Sequence, residues 1–157
     1  MNALIAYYSW AGNTRGLAEL IQKEAGGALF EIKPQTPYTS NYSACTAQAK
    51  KEIQAGYLPD LEGLPDNLDV YDTVFVGTPN WWSTIAPPVS SFLSKVDLTG
   101  KAVAPFCTHG GGGQARCASD TAGLCGGANV LDGLAVYGGS SKQADVSRWF
   151  SAIGLKG

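Results

Sequence analysis

The chain has 157 residues, of which 45% are hydrophobic and only 15% are charged, and its formal net charge is −2. This composition is typical of one compact domain with a sizeable core, and it excludes a disordered chain. The small net charge argues against binding to nucleic acid or to an anionic membrane. The N-terminus lacks the pattern of a signal peptide, and no apolar run is long enough to span a membrane. We therefore expect residues 1–157 to form a single domain, monomeric and cytoplasmic.

Strand patterns alternate with helix patterns along the whole chain. The predicted strands cover residues 2–8, 28–33, 73–77, 101–107 and 130–137. The predicted helices cover residues 13–25, 41–55, a short stretch opening at Pro87-Pro88, residues 114–122, and a last segment whose capping box is Ser140 and Gln143. Such alternation predicts a doubly wound α/β fold, with a five-stranded parallel sheet and helices on both faces. Ligands of such sheets bind beyond the carboxyl ends of the strands, so the loops after strands one, three and four are the expected place of a ligand site.

The first of these loops leads from an apolar strand directly into a helix, with the sequence Ser9-Trp10-Ala11-Gly12-Asn13-Thr14. The free backbone N–H groups and the positive dipole end of a helix N-terminus favour an anion. Gly12 lets the backbone approach an anion closely, and Ser9 and Thr14 add hydroxyl donors. The loop contains no Lys, so it predicts a phosphate held by neutral dipoles. An ordinary turn capped by Asn13 or Thr14 is the alternative.

The loop after strand three has the sequence Thr78-Pro79-Asn80-Trp81-Trp82-Ser83-Thr84. Two adjacent tryptophans in a loop are costly to expose, and in an extended segment they cannot both point into the core. A planar aromatic ligand stacked on one of them is one interpretation. The other is that both cover the ends of neighbouring helices.

The loop after strand four, Thr108-His109-Gly110-Gly111-Gly112-Gly113, has four consecutive glycines between a strand and a helix. Such a run allows backbone groups to lie against a ligand. A dinucleotide fingerprint belongs after the first strand and needs a later acidic residue, so we do not assign one here. The lone His109 is as consistent with plain solvent exposure as with ligand contact. The chain also lacks the phosphate-binding motif of nucleotide triphosphatases.

The four cysteines show no spacing typical of a metal site or of a redox dithiol. Cys45 shares a predicted helical stripe with Tyr42, and we expect it to pack as a small hydrophobe. Cys117 and Cys125 would lie about 12 Å apart along an unbroken helix, too far for a disulfide. They could pair only if the helix ended early, and reduced thiols are the expectation in the cytoplasm.

The three loops, in this order after strands one, three and four, resemble those of a flavodoxin. The residues from Ser9 to Thr14 are similar to the flavodoxin motif for the phosphate of FMN, and Gly77-Thr78-Pro79-Asn80-Trp81-Trp82 is similar to the first flavin loop. Phe106-Cys107-Thr108-His109 and the glycines match the position of the second flavin loop. The resemblance covers nearly the whole chain and implies a sheet of order 2-1-3-4-5. Unlike many flavodoxins, this chain has no acidic residue in the three loops, and His109 stands where a stacking Tyr is common.

The resemblance implies an FMN-binding protein that carries electrons between larger redox enzymes. It implies stacking of the flavin on Trp81, with Trp82 packed against protein. The cofactor-binding residues that it implies are Ser9, Trp10, Ala11, Gly12, Asn13, Thr14, Thr78, Pro79, Asn80, Trp81, Trp82, Ser83, Cys107, Thr108, His109, Gly110 and Gly113. An NAD(P)H-dependent quinone or FMN reductase on the same fold is an alternative, and a binding module that has lost the flavin is another.

Overall fold

A computed structural model describes residues 1–156 of the chain. Its strands are β1 Ala3–Tyr7, β2 Ala28–Glu31, β3 Thr73–Pro79, β4 Ala102–His109, β5 Asn129–Val130 and β6 Leu134–Tyr137. Its helices are α1 Asn13–Ala25, α2 Tyr42–Ala55, α3 Pro87–Lys95, α4 Cys117–Gly123 and α5 Gln143–Ile153, with a 3-10 turn at Leu68–Val70. Within this described part, no helix is long and apolar enough to cross a membrane.

The strands form one parallel sheet in the order β2-β1-β3-β4-β5, with β6 also paired to β4. The predicted doubly wound fold and strand order are confirmed. The single predicted strand over residues 130–137 is wrong, because residues 131–133 leave the ladder between β5 and β6. Trp149 Nε1 donates to the carbonyl of Asp132 in this break. A Cβ on Gly133 would lie only 3.1 Å from the carbonyl oxygen of Pro105, so the chain passes close to β4 there.

Two hydrophobic layers cover the two faces of the sheet. Alternate residues of β1 serve different layers: Ile5 packs on the α1 and α5 side, and Leu4 packs on the α3 side. Phe75 of β3 stacks on Phe150 of α5 with ring centroids 5.5 Å apart. Nearly continuous burial along β1, β3 and β4 is the pattern expected of parallel strands covered on both faces.

Two predicted helix starts are wrong by a few residues. The fourth helix begins at Cys117 instead of residue 114. The last helix begins at Gln143, and its N-terminal residue pair differs from the predicted capping box. Ser140 donates its hydroxyl to the carbonyl of Tyr137, while Asp145 Oδ2 accepts from the backbone N–H of Lys142. The side chain three residues into the helix thus closes the cap, as in a capping box, but two residues later than predicted.

All four cysteines are free and buried. Cys117 and Cys125 are therefore unpaired, and Cys45 lies in the core as predicted. Tyr42 does not share its stripe, because its side chain is 73% exposed. Cys107 of β4 lies beside Cys117 of α4, and the neighbouring thiol together with burial raises the pKa of Cys117.

Gly77 of β3 is paired with Phe106 of the neighbouring strand β4 and lies against its ring. A Cβ there would lie 2.2 Å from Phe106 Cζ, so we expect Gly77→Ala to destabilise the fold by about 1–3 kcal/mol through overpacking. Gly16 in α1 provides the control, because a Cβ there meets no atom within 4 Å. Gly16→Ala should stabilise the protein by about 0.5–1 kcal/mol. Urea unfolding measures both changes, and equal effects would contradict the packing described here.

Candidate functional site

The loops that follow β1, β3 and β4 are joined to one another at the carboxyl edge of the sheet. The hydroxyls of Thr14 and Thr108 are 2.8 Å apart and share a buried hydrogen bond. Asn80 donates its backbone N–H to the carbonyl of Thr108 at 2.8 Å, and its Nδ2 donates to the carbonyl of Gly113 at 2.8 Å. Each predicted loop thus contacts a neighbouring one through hydrogen bonds, and the three form one continuous surface.

The first loop leaves the start of α1 open to a ligand. Gly12 precedes the helix with φ of 97°, in the left-handed region, and it offers no side chain to cap the first turn. Neither Asn13 nor Thr14 acts as the N-cap, so the alternative of an ordinary capped turn is not observed. Ser9 Oγ instead accepts from the backbone N–H groups of Gly12 and Arg15, at 3.1 and 3.2 Å, and so shapes the loop. Within the described residues, the backbone N–H groups of Asn13 and Thr14 are left without a protein partner, and together with the helix dipole they form an anion site.

Among its own residues, 9–15, the anion site has no free cation. Arg15, the nearest positive side chain, forms an ion pair with Glu31 at the end of β2. Thr14 is 1% exposed, so its hydroxyl lies at the base of the loop beneath the backbone donors. An anion at this place would be held by backbone dipoles and hydroxyls, as the sequence predicts.

The loop after β3 is built on a tight turn. Trp81 and Thr84 exchange two backbone hydrogen bonds, of 3.0 and 3.1 Å, and the two residues between them have positive φ. Trp82 has φ of 54° and Ser83 has φ of 70°, which is the pattern of a type I′ turn. Such a turn favours Asn and Gly, so Trp and Ser hold it at a cost in strain. The carbonyl of Ser83 also accepts from the backbone N–H of Arg116, at 2.9 Å, which ties the turn to the glycine loop.

The two tryptophans have different surroundings. Trp81 is half-buried, and its ring meets those of Tyr8 and Tyr38 edge-on, with centroids 5.5 and 5.1 Å apart. Trp82 is 46% exposed, although its Nε1 donates to the carbonyl of Thr46 in α2. Sequence reasoning expected Trp82 to be the one that packs against protein. That expectation about packing is wrong, because Trp81 packs against the rings of Tyr8 and Tyr38 while the Trp82 side chain is the more exposed of the two.

A cleft of about 250 Å³ opens between α2 and the first two loops. Its walls include all three tryptophans of this region, and the lining residues are Trp10, Tyr42, Cys45, Thr46, Ala49, Asn80, Trp81 and Trp82. Trp10 is held in place because its Nε1 donates to the carbonyl of Thr39 at 3.0 Å. Flat apolar walls beside an anion site suit a ligand with an aromatic part and a phosphate.

The glycine loop exposes its backbone. Gly111 and Gly113 have φ of 126° and 70°, and a Cβ at either would meet no atom within 4 Å. His109 is half-buried at the start of the loop, where its Nδ1 accepts from the backbone N–H of Gly111 at 3.1 Å. Its ring meets Tyr137 edge-on at 5.8 Å. His109 therefore has a defined place at the start of the loop.

Thr78 and Cys107, two neighbours of the site in the sheet, direct their side chains into the protein. Thr78 accepts from the backbone N–H of Ala86 at 2.9 Å and donates to the carbonyl of Pro79, so its hydroxyl orders the turn. Cys107 packs against Cys117 in the core. Pro79, Asn80, His109 and the exposed loop backbone remain available at the edge. Any ligand contact of Thr78 or Cys107 must involve the main chain.

Sequence reasoning missed two features beside the site. The turn after β6 reaches the first loop, since a Cβ on Gly139 would lie 3.2 Å from Asn13 Oδ1. The Gly138-Gly139 pair at the end of a strand was the available signal. Behind Trp81, Tyr38 donates its hydroxyl to Glu52 of α2, and burial raises the pKa of Tyr38. No local pattern links Tyr38 to a residue of the next helix.

The strain at Ser83 predicts an unusual response to substitution. Because Ser83 has positive φ, we expect Ser83→Gly to be more stable than Ser83→Ala by about 0.5–1 kcal/mol. Ser90 in α3 is the matched control, since its helical backbone should make Gly less stable than Ala by about 1 kcal/mol. Thermal and urea unfolding of the four variants test this reversal of sign. The same order at both positions would contradict the type I′ turn.

Comparison with known proteins agrees with this geometry. The flavodoxin family model matches residues 2–153. No curated protein sequence matches the chain. Among solved structures, a candidate flavoprotein from Bacteroides eggerthii DSM 20697 has a TM-score of 0.87 and 27% identity, over 99% of each chain. A flavoprotein from Lactobacillus acidophilus NCFM, solved in complex with FMN, has a TM-score of 0.74 and 26% identity, over 94% of this chain and 97% of that one. With this match over nearly its full length, the chain belongs to the flavodoxin family.

Proposed function

We propose that this protein binds FMN and carries electrons between a redox enzyme that reduces it and another that oxidises it. The single observation behind this proposal is the open N-terminus of α1 beside the tryptophan-lined cleft, with Trp10 belonging to both. The FMN complex of the related Lactobacillus acidophilus flavoprotein supports the choice of cofactor. Family membership supports the choice of redox chemistry.

The residues present fit FMN. The anion site of the first loop would take its phosphate, because backbone donors and the helix dipole meet there without a competing carboxylate. Trp81, Trp82 and the glycine loop would contact the isoalloxazine ring, and Asn80 would keep these two loops together through its bond to Gly113. Bound FMN supplies a centre that accepts or releases one or two electrons.

The chain itself would orient the cofactor and set its surroundings. Trp82 presents an exposed aromatic surface that would shield the ring from water. The glycine loop presents main-chain N–H and C=O groups without side chains, so it would hydrogen-bond the ring edge and not cover it. The three loops that follow β1, β3 and β4 contain no carboxylate. None of their side chains would therefore oppose a negative charge on the flavin ring.

The placement of the phosphate predicts a difference between FMN and riboflavin, which lacks the phosphate. Thr14→Val should weaken FMN by about 1.5–3 kcal/mol, roughly 10- to 150-fold, because one charge-assisted hydrogen bond is lost. Its effect on riboflavin should be much smaller. Thr108→Val is the matched control, because it breaks the same Thr14–Thr108 hydroxyl bond outside the first loop. Titrating the apoprotein by flavin fluorescence measures both, and equal losses for the two ligands in Thr14→Val would refute this placement.

Direct reduction separates a carrier from a reductase. The purified protein should release FMN on denaturation, and NADPH alone should bleach its flavin far more slowly than NADPH with an added flavodoxin reductase. The sequence has no cluster of arginines for the NADPH phosphate, which is the reason for this expectation. Rapid bleaching by NADPH alone would instead identify a reductase. Protein that neither contains nor takes up FMN would identify a binding module without flavin.

A further inference from the structure

Three aromatic rings pack together behind the tryptophan loop, and we call Tyr8, Tyr38 and Trp81 the ring cluster. The Trp81 ring meets those of Tyr38 and Tyr8 edge-on, with centroids 5.1 and 5.5 Å apart. The two tyrosine rings are 6.1 Å apart. Trp81 also lines the cleft of about 250 Å³ beside the anion site, whereas the two tyrosines do not. Trp81 is therefore the member of the ring cluster that borders the place proposed for the flavin.

The two tyrosines of the ring cluster differ in the partners of their hydroxyl groups. Tyr38 donates its hydroxyl to the carboxylate of Glu52 in α2. Burial and this carboxylate raise the pKa of Tyr38, so the phenol keeps its proton at neutral pH. Burial also raises the pKa of Tyr8, but among the described residues no carboxylate accepts from the Tyr8 hydroxyl. Of the two tyrosines, only Tyr38 has a base within hydrogen-bond reach of its proton.

Glu52 is placed to take that proton when Tyr38 is oxidised. Its other carboxylate oxygen accepts from Gln48 Nε2 at 2.9 Å, which holds the group beside Tyr38. In the resting protein the proton stays on the phenol, because a phenol is a far weaker acid than a carboxyl group. Removal of one electron reverses this order, since an oxidised phenol is a strong acid. Loss of an electron from Tyr38 would therefore transfer its proton to Glu52.

Tyr38 also opens to a different part of the surface from Trp81. It lines two clefts of about 230 and 200 Å³, and Trp81 lines neither of them. Glu52 lines the smaller of these clefts together with Tyr38. An electron deficit that moved from Trp81 to Tyr38 would therefore leave the cofactor cleft and come within reach of a small reductant in solution.

We propose that Tyr38 and Glu52 form a repair relay for Trp81, in which Tyr38 supplies an electron to oxidised Trp81 and Glu52 takes the proton that Tyr38 releases. The relay rests on the proposed function, because its oxidant is photoexcited flavin in the cleft beside Trp81. Flavins absorb blue light, and in the excited state they remove one electron from neighbouring indole rings. A tryptophan beside such a cofactor escapes permanent oxidation only if an electron reaches it quickly.

Electrons and protons balance in this relay. Trp81 loses one electron to the photoexcited flavin, and that electron goes on to molecular oxygen. One electron then passes from Tyr38 to Trp81, which returns to its resting form, while the O–H bond of Tyr38 breaks and its proton moves to Glu52. The products are a neutral tyrosyl radical and a protonated carboxyl group. A small reductant such as ascorbate then returns one electron to Tyr38, and the proton moves back from Glu52.

Oxidation of the apoprotein tests the relay without flavin. Tris(bipyridine)ruthenium, photo-oxidised with a sacrificial cobalt(III) acceptor, removes electrons from aromatic side chains, and peptide mass mapping locates the products. In the parent, a nitroso spin trap should label Tyr38, and Trp81 should show little permanent oxidation. In Tyr38→Phe and in Glu52→Gln, oxidation of Trp81 relative to exposed Trp82 should rise at least about tenfold, because a tenfold slower transfer needs only about 1.4 kcal/mol of added barrier.

Tyr8→Phe is the matched control, because it removes a tyrosine that lies at a similar distance from Trp81 and has no carboxylate partner. It should keep the low oxidation of Trp81 seen in the parent. Glu52→Gln retains a hydrogen-bond acceptor for Tyr38, so it separates loss of the base from loss of packing. D2O should raise the oxidation of Trp81 in the parent, where a proton moves with the electron, and should leave Tyr38→Phe unchanged.

Equal oxidation of Trp81 in the parent and in Tyr38→Phe, or protection that is lost only in Tyr8→Phe, would overturn the relay. Parent-like protection in Glu52→Gln would overturn the proposed role of Glu52, and the relay with it. The FMN-loaded protein under blue light in air should give the same order of variants. Failure to bind FMN would instead overturn the proposed function, and the ruthenium experiment would still decide whether Tyr38 supplies electrons to Trp81.

Discussion

The parallel pairing of β3 with β4, which continues to the last residue of β3, is the constraint on which the site depends. Their register continues to the pair Pro79–Thr108, beyond the ends that the sequence predicts. The tryptophan loop and the glycine loop therefore leave the sheet side by side, and Asn80 can bind Thr108 and Gly113 at once. If either strand ended earlier, the two loops would separate, and the residues that line the cleft beside Trp81 would no longer be held together.

The site relies on the main chain more than on charged side chains. The anion site is made of helix donors and of a hydroxyl that shapes the loop, and the neighbouring Arg15 is neutralised by Glu31. The glycine loop again presents backbone alone.

The conformation of the tryptophan turn at this edge is held by contacts with neighbouring segments of the chain. The Trp82-Ser83 turn holds two residues in an unfavourable region of φ, and such strain persists only where the surroundings over-determine the conformation. Here the two hydrogen bonds between Trp81 and Thr84 and the one from Arg116 to Ser83 supply that restraint. Beneath the turn, the edge-on packing of Trp81 with Tyr8 and Tyr38 fixes its base.

The sequence by itself determined the element order, the bounds of α1, the parallel sheet and the three loops of the site, because hydrophobic period, glycine pairs and prolines act over short distances. Only the tertiary structure decided what depends on residues far apart in the chain. The break at residues 131–133 follows from packing against β4 and α5, and the roles of the two tryptophans follow from rings contributed by Tyr8 and Tyr38.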